Sequence, residues 1–348
     1  TPIQIKRSGV TDITIDNIII KRLNGDDTPR IDYTDGGCPV LLTEPQSTNL
    51  IIQSNDFSAW NQIQNVDLTP NSTTSPSGEN NATKILSTTG ASKVTETISL
   101  VSGTTYTFSL YCKNIDATSV RLLAYDGVNE FSSYVQSEIN TSTWSRVSLT
   151  FTALNTTSSG QIQIARDLPD GESMYIYGAQ LEELSYATSL IPTYGAVRTR
   201  LQDTVTGAGT SSDINSTEGV LFADISALGN DGNYRLIALS DGTSSNRVCV
   251  GYSSASNTIN AFITRSGFAE ANLLYVVPDT SIAHKIAFKY KLNDVALWVN
   301  GVEVATDTSS DVALNLNTST FTSGSGSSVF FGKTSQVQVF KTALPDFE

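Results

Sequence analysis

The sequence is poor in the residue types on which most catalytic and metal sites are built. Its 348 residues include one histidine, one methionine and three cysteines, and only 16% are charged. A nucleophilic triad or Cys–His pair would need His284, which begins an alternating apolar stretch and is expected to be a buried strand residue. Cys38, Cys112 and Cys249 are far apart, and none has a zinc-type spacing. We expect free thiols, assembly in a reducing compartment, no cofactor apart from a structural calcium ion, and no enzymatic activity.

The chain also lacks concentrated positive charge. Its net charge is −13, its isoelectric point is near 4.5, and no basic cluster is longer than Lys21-Arg22. Because phosphate backbones are bound by clustered Lys and Arg, nucleic acid is not an expected partner. The most apolar stretch, residues 13–23, is too short and too charged to cross a bilayer, so no membrane insertion is expected. The first residue is Thr1 and no signal-like segment follows, which indicates a processed chain or a piece of a longer one.

What the sequence has in abundance is short alternating apolar segments separated by Ser, Thr and Gly. In one of them, Tyr106, Phe108, Leu110 and Cys112 alternate with polar residues, as in a strand with one buried face. Asn300-Gly301 is a strong signal for a type I′ hairpin turn. No window has helical periodicity. The sequence therefore predicts an all-β chain with two antiparallel β-sandwich (jelly-roll) domains in tandem.

Three segments are predicted along the chain. Residues 1–47 would be an N-terminal strand, at 12–20, and a connector that anchors the chain in an assembly. Residues 48–195 would form the first sandwich and residues 196–348 the second, with the boundary in the weakly apolar connector that ends near 209.

Polar and aromatic side chains in the first sandwich alternate away from its predicted core and form a candidate ligand site. Sugars offer apolar C–H faces to aromatic rings and hydroxyl groups to planar polar side chains. The residues that would line one sheet face in this way are Arg121, Tyr125, Tyr134, Gln163 and Arg166.

The sequence contains two sets of carboxylates to consider, one as metal ligands and one as a catalytic pair. Asp56, Glu79 and Glu182 are candidates for a structural Ca²⁺ ion at one edge of the first sandwich, because calcium takes oxygen ligands from scattered loops. The adjacent pairs Asp26-Asp27 and Glu182-Glu183 point apart in an extended chain and do not make a catalytic dyad.

Several segments resemble a signature of phage and prophage virion proteins, in which it introduces a jelly roll similar to carbohydrate-binding modules of families 4 and 9. They read PRIDY at 29–33, GGCP at 36–39, LLTEPQSTNL at 41–50, NDF at 55–57, SGTTYTFS at 102–109, WSRV at 144–147, YIYGAQLE at 175–182, YATS at 186–189 and IPT at 191–193. Where that family has Arg after Glu-Pro-Gln, this chain has Ser47, so no role of that Arg is carried over. HKIAFKY at 284–290 and VALWVNGVEV at 295–304 resemble a laminin-G/concanavalin-like domain.

The resemblance implies a tail-fibre, baseplate or head-appendage protein of a bacteriophage virion. Such a protein would be assembled in the host cytoplasm, displayed outside the cell, and would attach to host cell-surface polysaccharide. Its partners would be other virion proteins and further copies of itself in a homotrimer, which would raise avidity. Two alternatives remain open: a capsid or tail decoration protein without glycan binding, and the carbohydrate-binding arm of a secreted polysaccharide-degrading enzyme.

Overall fold

A computed structural model describes residues 29–33, 38–205 and 207–345. In these ranges the chain consists of β-strands and loops, with two short 3₁₀ turns at Phe57–Ala59 and Gln136–Glu138 and no α-helix. The predicted all-β class is confirmed. The strand predicted at 12–20 lies outside the described residues. Among those described, no helix has the length and apolar character needed to cross a bilayer.

The strands are numbered in chain order. Before the first sandwich come β1 (Arg30–Asp32), β2 (Val40–Thr43) and β3 (Ser47–Asn49). The first sandwich contains β4 (Gln62–Gln64), β5 (Val66–Thr73), β6 (Ala82–Ser87), β7 (Lys93–Leu100), β8 (Thr105–Asn114), β9 (Arg121–Tyr125), β10 (Glu130–Tyr134), β11 (Ser145–Thr152), β12 (Thr157–Arg166) and β13 (Ser173–Glu182). After β14 (Arg198–Arg200), the second sandwich contains β15 (Glu218–Ala227), β16 (Arg235–Ser240), β17 (Arg247–Tyr252), β18 (Thr258–Arg265), β19 (Phe268–Val276), β20 (His284–Lys291), β21 (Val295–Val299), β22 (Val302–Asp307), β23 (Thr318–Thr320) and β24 (Gly332–Phe340).

The first sandwich packs two five-stranded antiparallel sheets. Sheet A has the order β10-β9-β12-β7-β4, and sheet B has the order β11-β8-β13-β6-β5. Their facing side chains form one apolar core, which includes Phe108, Leu110 and Cys112 as the alternation predicts.

The same alternation predicts that Thr107 and Ser109 face solvent, and this is wrong. Both are fully buried, because the segment after β13 crosses the outer face of sheet B and its Leu184 carbonyl accepts a hydrogen bond from Thr107 Oγ1 at 2.8 Å.

The second sandwich has its own core between a seven-stranded and a five-stranded sheet. Sheet C has the order β1-β2-β24-β15-β20-β21-β22, and sheet D has the order β19-β18-β17-β16-β23. The predicted hairpin at Asn300-Gly301 joins β21 to β22, and both residues have the positive φ of a type I′ turn, at 52° and 83°. All three cysteines are free thiols. Burial raises the pKa of the Cys249 thiol to about 12, against an opposing effect of Arg247.

Strands from before the first sandwich belong to the second one. Leu41, Leu42 and Thr43 pair with the start of β24, and β1 pairs with β2 at the edge of sheet C. The chain then enters the first sandwich through β3 and leaves it through β14, and these two strands pair with each other. The predicted division at residues 47 and 195 stays a prediction, but the residues predicted to be a connector are in part strands of sheet C.

A buried group of charged side chains lies where the chain passes between the sandwiches. Glu44 pairs with Arg30 and, at 2.8 Å, with Arg200, and its backbone N–H donates to Asp203 at 2.8 Å. Glu44 Oε1 also accepts a hydrogen bond from the backbone of Ser189 at 2.7 Å. Two cations and two anions balance here, so no net charge is buried.

Candidate functional site

The predicted ligand residues lie on the outer face of sheet A. On β9, Leu122 and Ala124 are fully buried in the core, so Arg121, Leu123 and Tyr125 point to the opposite face. Cross-strand pairing extends this face sideways. Tyr125 is aligned with both Glu130 and Gln161, Leu123 with Gln163, and Arg121 with Tyr134.

A β-bulge near the end of β12 brings Arg166 onto the same face. Gln163 is aligned with Leu123, but the next aligned pair is Arg166 with Arg121, so β12 carries one extra residue at this point. Ala165 takes up the irregularity with a φ of 53°. With unbroken alternation, Arg166 would point to the side opposite Gln163; the bulge places it beside Arg121.

Arg121 is held by two carboxylates and a tyrosine ring. It forms an ion pair with Glu130, and its Nη1 lies 3.2 Å from Asp167 Oδ2. Its guanidinium carbon is 5.7 Å from the centroid of the Tyr134 ring, a cation–π distance. Arg166 Nε lies 3.5 Å from the other oxygen of Asp167. The two arginines are therefore matched by two carboxylates, and this end of the face carries no net charge.

The middle of the face is a buried polar floor. Gln163 is 6% exposed, Leu123 is 2% exposed, and neither belongs to the sandwich core. Gln163 donates from Nε2 to Gln161 Oε1 at 2.8 Å, but its own Oε1 has no hydrogen-bond partner. The hydroxyl of Thr95, the cross-strand neighbour of Gln163 on β7, is likewise buried and unpartnered. Buried polar atoms are nearly always paired, so this floor has hydrogen-bonding capacity left for a ligand.

All five predicted ligand residues thus share one face, in three groups. Arg121, Tyr134 and Arg166 lie at one end, Gln163 lies in the middle, and Tyr125 lies at the other end, where its hydroxyl donates to the Gly127 carbonyl at 2.6 Å. The sequence did not indicate Leu123 or Thr95, because single-strand alternation does not show which polar residues meet across strands.

Asp126 fixes the loops at the Tyr125 end. Its carboxylate is fully buried and accepts backbone hydrogen bonds from Val128, Asn129 and Leu154 at 2.7–3.1 Å. Burial alone raises the pKa of Asp126, but these hydrogen bonds outweigh it and hold the pKa well below its ordinary value. The β9–β10 turn and the loop between β11 and β12 are therefore tied together at the rim of the face.

The three predicted calcium ligands do not form one site. Asp56 and Glu79 line a cleft of about 620 Å³ at the edge of the first sandwich. Glu182 is fully buried, where it accepts hydrogen bonds from Ser47 Oγ at 2.6 Å and from the Thr188 backbone at 2.9 Å. In the part of the chain that the structure describes, no three Asp, Glu, His or Cys side chains cluster as a metal site.

His284 is placed as the alternation predicts. It is 2% exposed at the start of β20, on the same side as Ile286, Phe288 and Tyr290, and its ring meets the Tyr252 ring edge-on at 6.5 Å. Burial lowers the pKa of His284, against hydrogen bonding to Ile282. Glu182 is buried and its neighbour Glu183 is exposed, so these two adjacent carboxylates do not form a catalytic dyad.

No protein-family model and no curated protein matches the chain. Solved structures similar to it include mouse laminin alpha1 chain, domains LG4-5, with 11% identity over 70% of this chain and 88% of that one and a TM-score of 0.26. A second is the N-terminal CBM22-1-CBM22-2 tandem domain of Paenibacillus barcinonensis Xyn10C, with 8% identity over 93% of this chain and all of that one and a TM-score of 0.28. At these scores the superposition is weak, and the β-sandwich fold rests on the chain's own strand pairing.

Proposed function

We propose that the chain is a saccharide-binding protein that uses the outer face of sheet A. The observation that carries this proposal is the pair of buried, unpartnered oxygens at the floor, Gln163 Oε1 and Thr95 Oγ1. A saccharide hydroxyl can donate to Gln163 Oε1 and either donate to or accept from Thr95 Oγ1. Tyr134, whose side chain is 63% exposed, supplies an aromatic surface at one end of the same face.

The charge balance of the face favours a neutral saccharide. Arg121 and Arg166 are already paired with Glu130 and Asp167, so a uronate or sulfate would have to displace a carboxylate that is in place. Neutral hydroxyl groups need no such exchange. We therefore expect hexose oligomers without acidic groups to bind here.

The test is a glycan array followed by calorimetric titration of the best neutral glycan. Tyr134→Ala should weaken binding about tenfold, which corresponds to about 1.4 kcal/mol, and leave the thermal midpoint nearly unchanged. Tyr125→Ala should weaken it further when combined with Tyr134→Ala. The matched control is Tyr194→Ala, which removes a tyrosine that is 75% exposed and lines the cleft beside Asp56 instead. Equal affinity of the Tyr134 and Tyr194 variants would contradict the site.

We further propose that the protein acts by binding and leaves the glycan intact. Glycoside cleavage needs two carboxyl groups that can act as acid and as base or nucleophile, but the carboxylates of this face, Glu130 and Asp167, are held in ion pairs with Arg121. Mass spectrometry of the bound glycan after prolonged incubation should show no change. Shortened or de-esterified products would contradict this.

The finer proposal is that the chain is a component of a bacteriophage particle and attaches it to host polysaccharide. It is supported by the resemblance of residues 29–57 and 102–193 to virion modules and by the ligand face described above. Light scattering of the purified chain should give the mass of a homotrimer. Antibodies to sheet A should label the outside of particles; labelling only after the particles are disrupted would favour a decoration role without glycan binding.

A further inference from the structure

A second groove lies on the second sandwich, on the outer face of sheet D. It has a volume of about 380 Å³ and runs across β17 and β18. Val248 and Val250 point into the core, so Arg247, Cys249 and Gly251 point outward. Their partners on β18 are Thr264, Phe262 and Asn260.

The lining of this groove includes Leu236 and Phe262, and a hydroxyl-rich loop forms one wall. Gly251 is aligned with Leu236 on one side and with Asn260 on the other, and it has no side chain to fill the space between these two lining residues. The loop at 322–328, with the sequence TSGSGSS, packs against β16 and contributes Ser323, Ser327 and Ser328 to the lining. The groove is therefore a formed depression with polar sides.

Arg247 is the charged residue of this lining. It donates to the Ser323 carbonyl at 2.8 Å, and its guanidinium carbon lies 5.0 Å from the centroid of the Phe262 ring. No carboxylate lies within ion-pair distance of it in the described ranges, in contrast to Arg121, Arg235 and Arg265, which are all paired. An arginine without a counter-ion is notable in a chain of net charge −13.

The wall opposite the serine loop carries two amides. Asn260 is 3% exposed and donates to the Asn272 side-chain oxygen at 2.7 Å. This hydrogen bond orients the side chain of Asn272, which is exposed. Asn272 is aligned with Phe262, the ring that lies beneath Arg247. Guanidinium, aromatic ring, amide and serine hydroxyls thus face one groove.

We propose that this groove binds a saccharide that carries a carboxylate or a sulfate group. Arg247 would pair with the acidic group, Phe262 would contact an apolar sugar face, and Asn272 with the serine loop would hydrogen-bond to hydroxyl groups. This site is separate from sheet A and does not depend on the function proposed for it. The two faces differ in charge, because the arginines of sheet A are neutralised and Arg247 is not.

The experiment measures binding of three probes to the full chain by calorimetry: oligogalacturonate, dextran sulfate and neutral dextran. We expect an acidic probe to bind and neutral dextran not to bind at this groove, and the probe that binds decides between carboxylate and sulfate. Arg247→Gln should weaken binding at least about tenfold. Asn272→Asp should do the same, because it places a negative charge beside the anion on an exposed side chain.

The matched control for charge is Thr141→Asp, which adds the same charge at an exposed loop of the first sandwich. It should leave the affinity for the acidic probe unchanged, as should Tyr134→Ala on sheet A. The proposal is overturned if neither acidic probe binds, if Arg247→Gln and Asn272→Asp bind as the wild type does, or if Thr141→Asp weakens binding equally. Arg247→Gln and Asn272→Asp should keep the wild-type thermal midpoint and the wild-type affinity for the sheet A glycan. Either result shows that weaker binding of the acidic probe comes from loss of the site and not from unfolding.

Discussion

Asp231 accepts two parallel hydrogen bonds from Arg235, at 2.7 Å from Nη1 and 2.8 Å from Nη2. The pair also joins the two sandwiches, because Ser185 Oγ donates to Asp231 at 3.0 Å and Arg235 lies over the Tyr186 ring at 5.8 Å. Burial raises the pKa of Asp231, but the hydrogen bonds and charge of Arg235 outweigh this and hold the pKa below its ordinary value. This oriented ion pair therefore contributes to the contact between the sandwiches.

Replacing Asp231 should destabilise the protein because Arg235 would remain buried without its partner. We expect Asp231→Asn to lower the free energy of unfolding by about 2 kcal/mol. Urea titration followed by tryptophan fluorescence measures this. Asp311→Asn is the matched control, since it breaks an Arg–Asp pair whose side chains are 33% and 39% exposed and should cost less than about 1 kcal/mol. Equal losses in the two variants would contradict the role of burial.

Asp126 should make the first sandwich sensitive to acid. Its folded-state pKa is depressed, so its stabilising effect is present above the ordinary Asp pKa of about 3.9 and is lost as the pH falls through the folded-state value. Asp126→Asn should therefore lower the thermal midpoint clearly at pH 7, and the gap to the wild type should close as the pH is lowered. Asp67→Asn, at an exposed position on β5, should show neither effect.

Glu96 should show the opposite dependence on pH. It is 6% exposed on the core-facing side of β7, and burial raises its pKa, opposed by a hydrogen bond from the Asn61 N–H. A raised carboxyl pKa means that the native state loses stability as the pH rises above the unfolded value of about 4.3. Glu96→Gln should thus raise the thermal midpoint at pH 8 and change it little at pH 4. A lower midpoint at pH 8 would show that the charge is needed.

Replacing Gln163 with an apolar residue should stabilise the protein and weaken glycan binding. Gln163→Leu removes a buried oxygen without a hydrogen-bond partner and keeps the volume of the floor, so it should raise the free energy of unfolding by about 1 kcal/mol. The same change removes an acceptor for a saccharide hydroxyl and should weaken glycan binding about tenfold. Denaturation and calorimetric titration measure the two effects. A more stable variant that binds normally would remove Gln163 from the site.

Much of the fold can be predicted from local patterns, as β8 and β17 illustrate. In β17 (Arg247–Tyr252), Val248, Val250 and Tyr252 point into the core and alternate with outward residues, which is the period-2 pattern of a strand with one buried face. The hairpin at Asn300-Gly301 is equally predictable from the sequence, because few residue pairs adopt two successive positive φ angles at low energetic cost. These features depend on neighbours in sequence.

The parts that escaped prediction depend on distant residues or on strained backbone. The bulge that turns Arg166 outward lies at an alanine with positive φ, and no glycine or asparagine signals it. The buried state of Thr107 is caused by a segment that follows almost eighty residues later, with a separation of 77. The pairing of Leu41 and Leu42 with β24 joins residues from opposite ends of the described chain.

The pairing of β2 with β24 sets the order in which the two sandwiches can fold. Residues 47–200 form a sandwich that is inserted in the chain between β2 and the remaining strands of sheet C. The first and last strands of this insertion, β3 and β14, pair with each other. During synthesis from the N-terminus, this inserted unit can fold as soon as it has emerged, while Leu41 and Leu42 must wait for β24 to be made. The second sandwich is thus completed last, and a fragment that begins at residue 196 would expose the edge of β24 that β2 covers.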